Sequence, residues 1–476
     1  MCTQLLLALL ISCGDKDVTD DTGPTTESDT DTDTDTDTDT DADTDTDTGP
    51  SSDEVHSLGW SLHPEHGSMV YVTWQQDVDG ETTIAYSFDE DTWQSAPTRT
   101  AAAGSHQQLL VGIPYGHSAQ WRVTVSDGTN THVTAGESIT TEAIPEAFPI
   151  PTIEAADSSK WLPEGNYLLS SINEDDGGWT QGSYWTFIID RQGRLIWASE
   201  APQGHWTLFA QVAVSGDHIL WDEATYWSDF DRGEASTVHR TYLDAEIEEI
   251  ATPGLHHAFV QLPDGTLVWG SQYHHASEAL VEMSLEDRKI DVLWNCEDDW
   301  PGVDSCESNG LFYVEETNSF LYSFYTNDSI VEVSRDTGES IWWAGRAANG
   351  YAFDPSKHQF DWQHGISYTD TGTMLVSTLS SLTRQTTTML REYTVDHKTQ
   401  TLTSIWEYDP AIHAGTNGDA WRLSNGNTLH VIGSAGHVVE VTADGTEVWH
   451  ANFNDNHLMG RGELIEDLYA LVSPTP

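Results

Sequence analysis

The sequence predicts an all-β fold: a six-bladed β-propeller with an N-terminal β-sandwich and a disordered acidic tether. Three observations predict it. A hairpin pattern recurs six times, turning at Leu162-Pro163-Glu164-Gly165-Asn166, Val214-Ser215-Gly216-Asp217, Leu262-Pro263-Asp264-Gly265, Thr317-Asn318, Thr371-Gly372 and Leu423-Ser424-Asn425-Gly426. Turn residues set between short apolar runs mark antiparallel strand pairs. Most hairpins are followed by a second element that closes on Trp197, Trp294, Trp342, Trp406 or Trp449, with Ile250 in that place in the second copy. Successive copies lie roughly 43 to 64 residues apart, the range of four-stranded propeller blades. The composition agrees, because 20 Trp and 16 Tyr with 37 Gly and few long apolar runs favour short strands and frequent turns.

Taken in order, residues 1–13 hold the apolar run Leu5 to Ile11, too short to span a bilayer as a mature helix and better read as an export signal. Leu10-Ile11-Ser12-Cys13 resembles the lipobox of bacterial lipoproteins, which implies lipidation at Cys13, although no Lys or Arg stands near Met1. Residues 14–54 are almost wholly Asp, Thr, Ser, Gly and Pro. Like charges at every second residue repel, so this stretch reads as an extended tether that buries nothing. Residues 55–142 alternate in four runs, Met69 to Trp74, Thr82 to Phe88, Gln107 to Ile113 and Gln120 to Ser126. They resemble a fibronectin type III sandwich with Trp74 as core aromatic and a spacer's role. Pro145, Pro149 and Pro151 mark a linker, and the propeller is expected over residues 155–476.

Charge excludes one class of partner. With 78 Asp and Glu against 18 Lys and Arg, the net charge of −60 argues against nucleic acid and against direct adhesion to anionic lipid, leaving the lipid anchor as the membrane contact. Localisation is expected at the bacterial cell envelope, on the periplasmic or surface side of the outer membrane. Cys296 and Cys306 bracket a short loop and, in an exported protein, pair as a disulfide worth about 2 to 3 kcal/mol.

In a propeller the residues just before each first strand lie on one face. His205-Trp206, His256-His257, Glu307 and Asn309, His364, and Asn417 with Asp419 all stand there and are expected to converge on one funnel. Four segments then resemble the bacterial PAPS-independent arylsulfate sulfotransferases. They are His256-His257 ahead of Leu262-Pro263-Asp264-Gly265; Glu307-Ser308-Asn309-Gly310 with the strand Ser323 to Ile330 and the run Thr337 to Gly345; Phe360 to Val376; and Gly418 to Asn427. The resemblance implies transfer of a sulfuryl group from an aryl sulfate to a phenol through a sulfohistidine. His364 would be the nucleophile, His256 or His257 a general acid or sulfuryl donor, and Asn309 a donor to a sulfuryl oxygen. Neutral imidazole suits the role, being both a good nucleophile and a good leaving group. The resemblance implies no cofactor, and no metal is expected.

The chain departs from that family where its motif has a His and this sequence has Glu307, where it has an Arg and this sequence has Tyr325, and where Asp follows the nucleophile and this sequence has Gly365. Arg384 is a candidate replacement for the lost cation. Other readings stay open: a degenerate propeller that binds a ligand or partner without chemistry, a zinc or copper site built from His256, His257, His274 and His275, and a quinone-dependent dehydrogenase propeller, disfavoured because its Trp repeats usually specify eight blades.

Overall fold

The computed structural model describes residues 54–89, 92–174, 182–226, 232–300, 302–303, 305–380, 386–454 and 457–474. Cys13, most of the acidic tether and Arg384 lie outside the described residues. No described helix is long and apolar enough to cross a membrane.

Two antiparallel sheets form first. Val55–Leu62, Val70–Gln76 and Gly104–Leu110 make one; Thr92–Ser95, Gly80–Asp89, Ser118–Ser126 and Thr131–Ala135 run through the other. Alternation along Val70–Gln76 and Ser118–Ser126 turns Val70, Val72, Trp74, Trp121, Val123 and Val125 into a shared core with Tyr86, as a period of two requires when one sheet face is buried. Trp121 also donates its indole N–H to Glu137 O at 2.8 Å.

Six further sheets follow, ordered along the chain. Sheet I holds Leu195–Glu200, Tyr184–Asp190, Tyr167–Asn173 and Met459–Ile465. Sheet II runs Ala210–Val212, Ile219–Glu223, Thr237–Tyr242, Ala245–Ala251, and sheet III Leu255–Gln261, Leu267–Ser271, Ala279–Met283, Ile290–Asn295. Sheet IV runs Ser308–Val314, Ser319–Phe324, Ser329–Ser334, Ser340–Gly345. Sheet V runs Ile366–Tyr368, Met374–Leu379, Thr388–Asp396, Thr401–Tyr408, with Ala352–Asp354 added in parallel at its edge. Sheet VI runs Asp419–Arg422, Thr428–Ile432, His437–Val441, Glu447–Asn452, with Thr152–Ala156 added antiparallel.

The first strands neighbour one another in turn. Leu255–Gln261 packs beside Ser308–Val314, that strand beside Ile366–Tyr368, that beside Asp419–Arg422, and that beside Met459–Ile465, which touches Ala210–Val212. A core of Ala213, Leu220, Leu255 and Phe259 joins sheets II and III. The recurrent Trp explains itself here. Trp197 donates its indole N–H to Leu243 O, Trp294 to Ser340 Oγ, Trp406 to Ala443 O and Trp449 to Arg191 O, each a tie from an outer strand to the next sheet at 2.8–2.9 Å. Trp offers a large apolar ring with a single donor at its rim; Trp342 instead donates to Glu332 of its own sheet, and Ile250 makes no such tie.

Two expectations change. The first hairpin is incomplete by itself, because its inner strand comes from the far end of the chain: Met459–Ile465 pairs with Tyr167–Asn173. The sandwich is docked rather than strung on a linker. Met69 and Val111 share a core with Ile188, Ile196 and Trp197, the Tyr469 hydroxyl lies 3.3 Å from that of Tyr86, and Phe148 of the supposed linker is buried against Phe187.

Candidate active site

His256, His257 and Asn309 sit at irregular points within first strands, whereas Glu307, His364 and Asn417 stand just ahead of theirs, as expected. His256 and His257 lie within Leu255–Gln261, where Leu255 pairs with Ser271 but Phe259 already with Trp269, and Asn309 is the extra residue between the pairs Ser308–Phe324 and Gly310–Ser323. Such bulges rotate a side chain off its regular face, which is how a sheet rim aims residues inward. His364 stands two residues before Ile366–Tyr368.

His364 is fixed from several sides. Its backbone N–H donates to Ser377 O at 3.1 Å, and its Nδ1 lies 3.0 Å from Trp362 O. A carbonyl only accepts, so Nδ1 carries the proton and the lone pair is left on Nε2. Burial pushes the imidazole down to about 4, against the opposing pull of the Trp362 carbonyl and Asp328. Gln363 beside it is buried, its amide donating to Ser323 Oγ, Phe324 O and Ser329 O, each at 3.1 Å. Asn309 does not offer a wholly free amide: Nδ2 donates to Gln363 O at 2.7 Å and Oδ1 accepts from Ser323 Oγ at 2.9 Å. It clamps the segment that carries His364. Asp328 accepts from the Trp362 N–H at 3.0 Å and pairs with Arg346 at 2.9 Å, while Arg346 also reaches Asp361 at 2.6 Å. The departure at Gly365 has a steric cause, since a Cβ there would lie 2.5 Å from Asp419 Cα and 2.7 Å from Ala420 N.

A buried relay faces this nucleophile candidate. Glu278 lies 3.0 Å from His256 Nε2, and His256 Nδ1 lies 2.6 Å from His257 Nδ1. The Glu278 carboxylate also accepts from Ser308 Oγ at 2.7 Å and from the Tyr322 hydroxyl. Burial alone would raise this carboxyl, but His256 and the hydroxyl donors together hold it below its ordinary value. His257 is held well below its ordinary value by burial, then by charge on His256 and on His364. That last influence marks His257 and His364 as electrostatic neighbours. The His256 ring packs 5.0 Å from that of Tyr226.

Glu307 and Tyr325 are paired: the Tyr325 hydroxyl donates to the Glu307 carboxylate, and its ring lies 5.8 Å from His257 and 5.5 Å from Trp362. Burial, then Glu307, keeps this phenol protonated. The remaining funnel candidates divide. Asn417 lines one small cavity with His257, Asn309, Phe209, Gly418 and Arg461. His205 instead pairs with Glu223 at 2.5 Å, and Trp206 stacks on Tyr184. His274 and His275 turn to Ser271 and Ser277, both about 3 Å away, so the zinc or copper grouping with His256 and His257 is not assembled among the described residues.

Residues 308–454 match the arylsulfotransferase (ASST) family model. The arylsulfotransferase match spans sheets IV to VI with Asn309, Tyr325, His364, Asn417 and Asp419, and leaves His256 and His257 outside it. A comparison with curated proteins finds no match. Solved structures similar to the chain include a protein of unknown function from Bacteroides caccae, 13% identical over 62% of this chain and 99% of that one, with a TM-score of 0.41. Another is the β-propeller domain of Myceliophteria thermophila Cps50 (Swd1), 10% identical over 63% of this chain and 86% of that one, with a TM-score of 0.38.

Sequence reasoning missed three residues of this centre. Glu278 precedes the third strand of sheet III, and only the antiparallel return brings it beside His256. Tyr322 lies mid-strand in sheet IV, indistinguishable from packing. Arg461 sits on the closing strand, which carries no hairpin signal; it lies 3.6 Å from Asp419, 3.1 Å from Gln211 Oε1 and 4.2 Å over the Trp421 ring.

Proposed function

We propose that the protein transfers sulfuryl groups from aryl sulfates to phenolic acceptors, with His364 as nucleophile. The observation that carries this reading is the His364 tautomer. Nδ1–H is committed to Trp362 O and burial keeps the ring neutral at pH 7, so an unprotonated Nε2 is available without an activating base. Nε2 attacks sulfur, the sulfur–oxygen bond to the aryl group breaks, and the aryl oxygen leaves as a phenol, protonated from His257 as it departs. The sulfated imidazolium keeps its Nδ1 proton on the Trp362 carbonyl until an acceptor phenolate attacks sulfur and regenerates neutral His364. Proton traffic runs through the pair opposite. A proton on His256, balanced by Glu278, passes to His257 Nδ1 as His257 Nε2–H is given to the departing oxygen, and the acceptor's proton restores the relay. Arg461 supplies fixed positive charge in the cavity that His257 and Asn309 line.

Glu307 favours a second reading. A carboxylate beside an anionic substrate is repulsive, and its hydrogen bond to Tyr325 masks only part of that charge. On this reading the propeller binds a ligand or a partner at the cell envelope and does no chemistry. In either case we propose export and lipidation at Cys13.

The test is release of nitrophenolate from 4-nitrophenyl sulfate with an added acceptor phenol and no PAPS. Wild type is expected to turn over and to accumulate a sulfated His364 when the acceptor is withheld, while His364→Ala and His364→Gln do neither and remain folded. Glu307→His combined with Tyr325→Arg is expected to raise the rate. Inactivity of wild type and of that double variant across several aryl sulfates would leave the binding reading.

A further inference from the structure

The outer edge of sheet VI gathers two imidazoles and two carboxylates that the His364 centre does not use. His437 and Val439 pair with Asn452 and His450, which turns the His437 and His450 side chains to one face. Two irregularities then bring acids to that face. The register of the last strand slips by one residue between Trp449 and Glu447, and the added strand Thr152–Ala156 slips between Ile153 and Ala155, at Glu154.

We propose that Glu154, Glu447, His437 and His450 form a site for a divalent ion of the zinc class, which clips the added strand to sheet VI. His450 Nδ1 lies 3.2 Å from Glu447 Oε2 and 3.4 Å from Glu154 Oε2. A tetrahedral ion with ligand bonds of about 2.0–2.2 Å spaces its donor atoms about 3.3 to 3.6 Å apart. Donor atoms of Glu154, His437 and His450 all fall within a span of 4.8 Å. The outer oxygens of both acids are already held, Glu154 Oε1 by Asn452 Nδ2 at 2.7 Å and Glu447 Oε1 by the Tyr408 hydroxyl at 2.6 Å. His450 Nε2 lies 2.8 Å from His437 Nδ1. Asn452 and Tyr408 are outer partners of the kind that orient the ligands of a metal site, and His437 joins the ion with a ring nitrogen of its own in addition to its contact with His450. The imidazoles are buried and the acids half exposed, so an ion has an entry path. Imidazole with carboxylate suits zinc better than calcium or magnesium, which take oxygen sets.

The full chain, stripped with chelator, is titrated with zinc chloride by calorimetry and its thermal unfolding followed with and without zinc. One tight equivalent and a raised melting temperature are expected in wild type. Both are expected to vanish in Glu447→Gln and Glu154→Gln, surface changes that leave the core alone, and affinity is expected to weaken about 10- to 100-fold in Asn452→Ala. The Asp-rich tether adds weak sites common to every variant, so the difference between wild type and variants is what is read. Cobalt substitution should give the visible absorption of a tetrahedral ion. A tight equivalent that persists unchanged in both Gln variants, or no tight equivalent in wild type, overturns the proposal.

Discussion

Gly365→Ala tests how the nucleophile candidate is held, and it separates stability from activity. The added Cβ would stand 2.5 Å from Asp419 Cα and 2.7 Å from Ala420 N, both backbone atoms that cannot rotate aside. Ordinary contact begins near 3.4 Å, so the segment before Ile366–Tyr368 or the start of Asp419–Arg422 must retreat by about 0.9 Å. Overpacking on that scale costs about 1 to 3 kcal/mol. Because His364 is the adjoining residue, most of the retreat reaches its ring, and a misplacement near 1 Å costs on the order of 100-fold in a reaction that depends on alignment. Gly310 bounds the other side, where a Cβ would lie 2.7 Å from His364 O, and Gly310→Ala is expected to act in the same direction. Gly415→Ala is the control, since its nearest neighbour is Ser434 Oγ at 3.9 Å. Urea unfolding gives the stability change, and nitrophenolate release gives the rate. If Gly365→Ala matched Gly415→Ala in both, the claim that close backbone approach positions His364 would be wrong.

Acid should unfold the protein through its buried histidines. Burial holds His66 and His364 at about 4 and His430 at about 3, against an ordinary 6.5. The unfolded chain therefore takes up these protons as pH falls through 6.5 while the folded chain refuses them. Stability is full above about pH 6.5 and declines towards pH 4, and His430→Leu should flatten the slope of unfolding free energy by about 1.4 kcal/mol per pH unit in that window; an unaltered slope contradicts the assignment. Arg461→Gln should lower kcat/KM for aryl sulfate by about 100- to 1000-fold while Arg461→Lys keeps most of it, and equal loss in both would mean that shape rather than charge matters. Cys296 and Cys306 are joined in a disulfide, and the double change to Ser should cost about 2 to 3 kcal/mol in urea unfolding. Two free thiols in the native protein by mass spectrometry would refute the bond.

The fold was legible where local chemistry repeats. Turn residues at fixed offsets and a Trp with one indole donor recur because the sheets share one connection and four of them share one cross-sheet tie. Met459–Ile465 was not legible, because a strand that completes the first sheet from the far end of the chain needs no hairpin of its own. Docking of the sandwich was equally silent, since Met69 and Val111 look like any strand residues until their partners are known. In the site, His256, His257, Asn309 and His364 could be placed near the strand starts. What they touch could not, for Glu278 lies 22 residues from His256 and Gln363 lies 54 from Asn309. Arg384 was a candidate chosen by loop position alone; Arg461, on the unrecognised strand, is the cation that lines the cavity.

A chain with net charge −60 repels an anionic substrate at a distance, so any sulfuryl chemistry has to be favoured within the last few ångströms. The local electrostatics fit that demand. His257 and His364 are held neutral by burial, so neither needs a counter-ion. The charge of Glu278 is spent on His256, Ser308 and Tyr322. Asp328 is neutralised by Arg346, and Asp419 stands close to Arg461. The balance then turns on Glu307, half masked by Tyr325, against the charge that Arg461 has left after facing Asp419. That is why exchanging Glu307 and Tyr325 for His and Arg separates transfer from binding: it alters the field at the sulfuryl position and changes neither Trp362 nor Ser377, whose carbonyls hold His364, with loss of the Tyr325 ring beside Trp362 as its one structural effect on that segment.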